Sequence, residues 1–374
     1  MLHAIIMAGG TGTRFWPAST NDTPKQLLSL VGDATMLRQT VDRLGDLVPS
    51  ERTLVVTNER LVGAVRKQLP ELPATAVIGE PCKRDTAPCI GLAALLVSRN
   101  DPAATMLVMP ADHVIRPAAT FQAAIRQAAA LVQESSTRIV TIGIKPTYAS
   151  ESFGYIHRGE PLREGEAPAE PQGNKKVQQE LPRPAYRVLR FKEKPNATTA
   201  QEYVSSGEYY WNSGIFIWPA DTILAALRER QPQMLAHLQQ IVDAWDTNRS
   251  DAIFKSEFTA IEPISIDYAV MEHATDVAVI EAPFEWDDLG GWQSLARQYG
   301  TDANGNTIIG RHLGVNTSGT IVRGEDGHLI VTLGLKNCIV VHTPNATLVA
   351  SKHDEEQIRK VVKRLEELGW TEFL

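Results

Sequence analysis

The sequence predicts an α/β protein with a mixed, mostly parallel central sheet, then a small C-terminal β-helix or β-roll segment and a terminal helix. Three observations predict it. Short Val- and Ile-rich runs alternate with helical patterns between residues 3 and 143. After residue 300 the apolar runs shorten and are punctuated by Gly, Asn and Pro. The last stretch carries an apolar stripe at helical spacing.

In chain order, HAIIM (3–7), TLVVT (53–57), TAVIG (75–79), TMLVMP (105–110) and RIVTIG (138–143) read as strands. Their continuous apolar character implies burial on both faces. Segments 35–48, 59–69, 86–99 and 118–134 read as helices. YRVLRFKEK (186–194) and WNSGIFIW (211–218) read as longer strands extending the same sheet. Residues 161–184, PLREGEAPAEPQGNKKVQQELPRP, are rich in Pro, Glu, Gln and Gly and read as a disordered surface insertion. The expected division is a domain over 1–299 and a β segment with helix over 300–374. In the terminal helix Ile358, Val361, Val362, Leu365 and Leu368 share one face, and Gly369 stops it. That face suits packing on its own domain, the default, or on a second subunit.

Composition limits the function. The 374 residues are 43% hydrophobic and 22% charged, as in a soluble globular protein with a sizeable core. A net charge of -7 argues against general nucleic-acid binding, which shows a basic surface. The longest plain apolar run, CIGLAALLV, is well short of the roughly 20 residues of a membrane span. The N-terminus does not read as a signal peptide. Cys82, Cys89 and Cys338 fit neither a disulfide framework nor a CxxC zinc pattern. A reducing cytoplasm is the expected compartment.

The chemistry begins at AGGTGTRFWPASTNDTPKQ (8–26), where a strand runs into a glycine-rich turn. Glycine lets the backbone approach an anion closely enough for several N–H groups to converge on it. The dinucleotide fingerprint fails, because Phe15 stands where its third glycine belongs; the P-loop spacing fails too. The remaining design takes backbone donors from Gly9, Gly10, Gly12 and Thr13 and fixed positive charge from Arg14 and Lys25. Neither cation is a proton acceptor, so the pattern points to charge stabilisation rather than acid–base catalysis. A structural turn with two solvated cations is the alternative. Asp112 follows TMLVMP, at the carboxyl end of a buried strand where ligands gather in open α/β sheets. It suits a cation ligand, with a helix N-cap as the alternative; His113 reads as a hydrogen-bonding neighbour. Asp287 and Asp288 are adjacent carboxylates that favour a cation, and composition does not choose between them.

GGTGTRFWPAS followed by TPKQLL resembles the signature of the sugar-nucleotide pyrophosphorylases, and FWPxS with PKQ resembles the mannose-1-phosphate guanylyltransferases in particular. EPCKRDTAPCIGLAA, MPADHVI, GIKPTYASESFGYIHRG, FKEKPN, YYWNSGIFIW, SIDYAVME and WDDLGGW follow in the family's order and cover residues 3–292. The resemblance implies a Rossmann-like nucleotidyltransferase domain that makes GDP-mannose and pyrophosphate from GTP and α-D-mannose 1-phosphate. The sugar phosphate would attack the GTP α-phosphorus in line, assisted by Mg2+.

The resemblance also implies roles. Arg14, Lys25, Asp112 and Asp288 are the catalytic set, with Asp112 and Asp288 on the metal; Asp288 is chosen by the pattern W-x-D-x-G-x-W. Ala8, Gly9, Gly10, Gly12, Thr13, Glu80, Arg84, Asp85, Thr86 and Ala87 are the nucleotide set. Backbone groups near Ala8, Gly79, Glu80, Thr86 and Ala87 would match guanine, and Arg84 would approach phosphate or the base edge. Gly154, Glu193, Lys194 and Asn212 are the sugar set. Two departures stand out. Asp85 replaces the usual Asn, and Ser152 with Phe153 in ESFGYI replaces a glycine-bearing TGYGYI. No cupin-like His and Glu cluster follows residue 300, so transferase activity alone is expected. The C-terminal segment resembles the β-helix tail through which compact relatives dimerise, which implies a homodimer. The competing expectations are a hexose-1-phosphate nucleotidyltransferase using UTP or dTTP, a non-catalytic nucleotide-sugar sensor and, disfavoured by the failed fingerprint, a nicotinamide-dependent oxidoreductase.

Overall fold

The computed structural model describes residues 1–10, 12–162, 184–325 and 327–374. The expected insertion at 161–184 lies almost wholly outside the described residues; Pro161 itself ends a strand.

The chain divides into two compact units. The first comprises residues 1–7, 43–110 and 115–286. Its centre is a nine-stranded sheet. The strands are β1 (Leu2–Ala8), β2 (Thr53–Asn58), β3 (Val77–Glu80) and β4 (Thr105–Pro110), then, after the short β5 (Val114–Arg116), β6 (Ile139–Ile144), β7 (Tyr155–Pro161), β8 (Ala185–Lys192), β9 (Tyr209–Pro219) and β10 (Val277–Glu281). The order is β3-β2-β1-β4-β9-β6-β10-β8-β7. Pairs β1/β4, β2/β3 and β6/β10 are parallel. Strand β9 enters antiparallel between β4 and β6, and β7 and β8 extend the sheet in antiparallel fashion. All six residues of β6 are buried, so both faces of the sheet are covered there.

The apolar runs read from the sequence are therefore the inner strands, and the helices follow. Helix α1 (Met36–Asp42) is shorter than the 35–48 reading, because Gly45 adopts φ +49 and the chain continues as a 3-10 turn. Residues 59–61 form a 3-10 turn leading into α2 (Val62–Gln68). Helices α3 (Thr86–Asn100) and α4 (Ala118–Gln133) match their expected spans closely. Beyond them come α5 (Ala197–Ser206), α6 (Ala220–Arg230), α7 (Pro232–Asp243), α8 (Ser250–Ala260) and α9 (Ile266–Ala269). Ile90, Ala93, Ala94 and Val97 of α3 join Leu227, Leu238, Phe258 and Trp218 in the main core.

The second unit comprises residues 8–42, 111–114 and 287–374. The short β11 (Glu285–Asp287) leads into it, followed by α10 (Leu295–Tyr299). Then β12 (Thr307–Ile309), β14 (Ile321–Arg323) and β16 (Cys338–His342) stack in parallel register, Thr307 on Ile321 and Ile321 on Ile339. Between them β13 (Arg311–Val315) stacks on β15 (Leu329–Leu333), also parallel. Those are β-helix rungs, as the punctuated runs predict. At one corner Gly310 takes φ +101, and a Cβ there would lie 3.1 Å from the Gly324 carbonyl oxygen. Strand β17 (Thr347–Ser351) closes the stack antiparallel to β16, and α11 (Ile358–Leu368) ends at Gly369, φ +73.

The core of this unit joins distant parts of the chain. Phe15, Trp16, Leu30 and Met36 pack with Leu289, Trp292 and Leu295 and with Ile339, Val341, Ile358 and Leu365. The stripe of α11 is narrower than its sequence suggests: Ile358 and Leu365 are buried, whereas Val361 and Leu368 are exposed. Among the described residues no helix is long and apolar enough to cross a membrane, and the three cysteines are free.

Candidate active site

The glycine-rich loop belongs to the second unit. The Ala8 carbonyl accepts a buried hydrogen bond from Gln26 Nε2 at 2.7 Å, tying the end of β1 to the PKQ segment. Gly12 sits in the left-handed region, and a Cβ there would collide with Lys25 Cβ. Glycine is thus needed both for φ and for close approach. Gly9 and Gly10 are exposed and Thr13 is half-buried. A 3-10 turn, Thr13–Phe15, follows. Phe15 meets Trp292 edge to face at 5.0 Å, and Trp292 Nε1 donates to the Trp16 carbonyl at 3.2 Å. These anchors present Arg14 between them. Its Nε donates to Glu356 Oε2 at 3.1 Å and its Nη1 to the Gly290 carbonyl at 3.1 Å.

Lys25 is 6% exposed. Its Nζ donates to Asp112 Oδ2 at 2.8 Å and to the Asp288 carbonyl at 2.5 Å. Lys25 therefore lies between the two carboxylate-bearing loops instead of standing as a solvated cation. A short strand rather than a helix follows Asp112, which removes the N-cap alternative. Burial pushes the Asp112 carboxyl up, but Lys25 and His113 outweigh it and hold it below the usual carboxylate range.

Structure separates the adjacent aspartates. Arg297 donates Nε to Asp287 Oδ2 at 2.7 Å and Nη2 to Oδ1 at 2.8 Å. Gln298 and the Leu289 N–H complete that set. Asp287 is consumed in holding the loop. The Asp288 carboxyl is raised by burial, against the pull of Lys25, with Asp287 and Asp112 adding repulsion. Asp112 and Asp288 are hard oxygen donors with a surplus of negative charge between them. That donor chemistry suits Mg2+, which takes one or two carboxylates and leaves positions for phosphate and water. Among the described residues no group of three or more His, Cys, Asp or Glu could hold a metal.

The first unit carries the other predicted residues. The Gly154 carbonyl accepts from the Asn212 N–H at 2.8 Å, and a Cβ on Gly154 would collide with Glu193 Oε2 and lie 3.3 Å from Asn212 Cβ. Lys194, at φ +43, donates Nζ to Glu193 Oε1 at 2.5 Å. All four sugar-set residues therefore gather in one place. Two residues to which the sequence assigns no role join them. Asp267 accepts from Asn212 Nδ2 at 3.0 Å, and Glu272 accepts from the Glu193 N–H at 3.2 Å. Burial, with repulsion from Glu193, pushes Asp267 up to about 7. SIDYAVME contains both residues, and that motif is the available signal.

The segment after β3 is more divided. Glu80 is buried, its Oε1 has no partner among the described residues, and burial pushes it up to about 8 against a hydrogen bond from Cys89. Asp85, at φ +67, caps α3 by accepting from the Thr86 N–H at 2.9 Å. An acceptor suffices for that, which accounts for Asp in place of Asn. Thr86 Oγ1 accepts from the Ile266 N–H, and the Ala87 N–H donates to the Ile264 carbonyl. Those groups are engaged in fixing α3. The Arg84 guanidinium is likewise turned to the Thr259 carbonyl, at 2.5 Å.

Comparison with known proteins identifies the family. The chain matches the nucleotidyl transferase family over residues 3–304 and a mannose-phosphate isomerase/GMP-like β-helix domain over 310–365. It is 38% identical over 373 residues to the mannose-1-phosphate guanylyltransferase of Escherichia coli (strain K12), covering 98% of this chain and 74% of that protein. It is 37% identical over 375 residues to mannose-1-phosphate guanylyltransferase ManC of Salmonella typhimurium, with the same coverage. The crystal structure of a mannose-1-phosphate geranyltransferase from Thermus thermophilus superimposes with a TM-score of 0.82 at 32% identity, covering 98% of this chain and 99% of that one.

Proposed function

The chain belongs to the nucleotidyl transferase family, and from that premise we propose how its residues make GDP-mannose and pyrophosphate from GTP and α-D-mannose 1-phosphate. The observation that carries the reading is Lys25 Nζ held between Asp112 and the Asp288 carbonyl beside the glycine-rich loop. That is a buried arrangement for handling phosphate charge, with no residue among those described placed as a nucleophile or general base. The sugar phosphate supplies the nucleophilic oxygen, and pyrophosphate leaves in line.

Backbone N–H groups of Gly9, Gly10, Gly12 and Thr13 bind phosphate oxygens in this reading, and Arg14 stabilises charge developing on the polyphosphate. Lys25 fixes the spacing of the Asp112 and Asp288 loops. Those two carboxylates would hold Mg2+, which when bound would supply neutralisation of phosphate charge. Asn212, Glu193, Lys194 and the Gly154 backbone read sugar hydroxyls, with Asp267 added as an acceptor. The unpartnered oxygen of Glu80 suits the paired N1–H and N2–H2 donors of guanine, a pair that uracil and thymine lack. Thr86, Ala87 and Asp85 shape this subsite through the α3 N-terminus, and Arg84 lines its approach.

The catalytic residues all fall within 1–299 in this reading, with 300–374 in a supporting role. The compartment is the cytoplasm, in keeping with three free cysteines. The partner is a second copy of the chain. Leu313 and Val315 on β13 and Leu329, Val331 and Leu333 on β15 form one outward apolar face, with Leu333 72% exposed. Light scattering on Val331→Lys/Leu333→Lys tests this: an unchanged mass would reject that face.

The reaction is tested by pyrophosphate release with mannose 1-phosphate and Mg2+, comparing GTP, UTP, dTTP and ATP. Release with GTP is the expected result. Preference for UTP or dTTP would move the base assignment away from guanine, and binding without turnover would mark a sensor.

A further inference from the structure

The turn between β17 and α11, Lys352–Gln357, brings two adjacent glutamates to the loops that carry the chemistry. Glu355 docks first. Its Oε1 accepts from the Gln293 N–H at 2.9 Å and its Oε2 from Gln293 Nε2 at 2.9 Å. Gln293 Nε2 also donates to the Lys352 carbonyl at 3.0 Å. The fit is tight: a Cβ at Gly291 would lie 2.6 Å from Glu355 Oε1. These bonds fix the backbone next to Glu356, so Glu356 is a placed acceptor although its side chain is 70% exposed. It accepts from Arg14 Nε, and Arg14 Nη1 reaches Gly290 on the same loop that Glu355 grips.

We propose that Glu356 is a positioning residue for the transfer reaction, holding Arg14 from the C-terminal turn. The inference rests on the reading of Arg14 as the charge-stabilising group. A guanidinium has five N–H donors in a planar fork. The two bonds described engage Nε and Nη1, which lie on different edges of that fork, and fix its plane. The Nη2 end is the part left to meet phosphate oxygens, already oriented before substrate binds. An arginine oriented in advance stabilises the transition state without reorganising during the reaction. An exposed ion pair adds little to folding, so the contact's main effect falls on the reaction.

The test is a double-mutant cycle on the full chain, read by steady-state pyrophosphate release with GTP and by thermal unfolding. Glu356→Ala should lower kcat about fivefold, the worth of one such exposed contact. The KM for mannose 1-phosphate and the melting temperature should not change. Glu356→Gln should recover most of the loss, because its amide oxygen still accepts from Nε. In an Arg14→Lys background, which lacks the fork, Glu356→Ala should add nothing. An Arg14→Lys protein that loses activity while Glu356→Ala keeps it would overturn the positioning role alone. Equal loss from Glu356→Ala in both backgrounds, with a lower melting temperature, would overturn it as merely structural. Full activity in Arg14→Lys would overturn the reading of Arg14 and this inference with it.

Discussion

Asp287 and Asp288 are chemically identical neighbours with opposite surroundings. Asp287 is bound on both oxygens by Arg297 and by Gln298 and Leu289, so Asp287→Asn should cost about 1–3 kcal/mol of stability through the broken charge-assisted pair. Asp288→Asn should leave stability nearly unchanged and lower kcat by about 100-fold or more if, as proposed, its carboxylate holds the metal. Parallel urea titrations and turnover measurements check both, and a stable, inactive Asp287→Asn would reverse the assignment. Composition does not decide this pair and only the family pattern chooses Asp288, because the distinguishing partner, Arg297, carries no motif. Asp267 lies in the SIDYAVME motif, but the motif gives it no role for a similar reason: what makes it unusual is burial beside Glu193, Lys194 and Asn212. Its carboxyl, at about 7 in the fold against an ordinary value of 3.8, keeps its proton where the unfolded chain has released it. The fold binds more protons than the unfolded chain, so stability should fall as pH rises from about 4 to about 7. The fall should be on the order of 2–4 kcal/mol, and Asp267→Asn should remove it. Identical pH slopes of unfolding free energy in the two proteins would reject a raised Asp267.

The elements are the most legible level. Inner strands of a covered sheet must be continuously apolar, and β1, β2, β4 and β6 all show it. The glycine-rich loop is legible as a tight turn after β1, but its detailed form is not. Nothing in GGTGTRF announces that Gly12 packs on Lys25, since that contact depends on where the PKQ segment returns. Gly12→Ala should therefore do two kinds of damage. The φ of +60 costs about 1 kcal/mol for a residue with a Cβ, and the collision displaces the backbone of Lys25. Lys25 would then lose its span between Asp112 and Asp288. The expected result is modest destabilisation with a loss of kcat at least about tenfold greater than that of Gly10→Ala, whose added Cβ would meet nothing within 4 Å. Equal activity in the two variants would show that the Lys25 contact has no bearing on turnover.

At the scale of the whole molecule, the C-terminal segment is part of the structure that holds the glycine-rich loop. The resemblance covering residues 3–292 suggests a catalytic portion with an appendage. The second unit instead joins residues 8–42 and 287–374 around one core. Side chains more than 300 positions apart share no local period, so no pattern in the sequence announces it; Trp16 Nε1 donating to the Phe373 carbonyl at 2.8 Å is such a contact. A fragment ending at residue 299 would strip Phe15, Trp16, Leu289 and Trp292 of Ile339, Val341, Ile358 and Leu365. Re-exposing even three or four large apolar side chains, at about 1.5–3 kcal/mol each, reaches the whole stability of an ordinary domain, about 5–15 kcal/mol. The same cut removes Glu355 and Glu356, and with them the restraints on Gln293 and Arg14. The 1–299 fragment should therefore be insoluble or, where soluble, lack turnover, and co-expression of 300–374 should restore activity by rebuilding the shared core. Solubility and pyrophosphate release for the fragment with and without its complement decide the matter. A soluble 1–299 fragment turning over at the full-length rate would mean that the glycine-rich loop holds its shape without the β-helix.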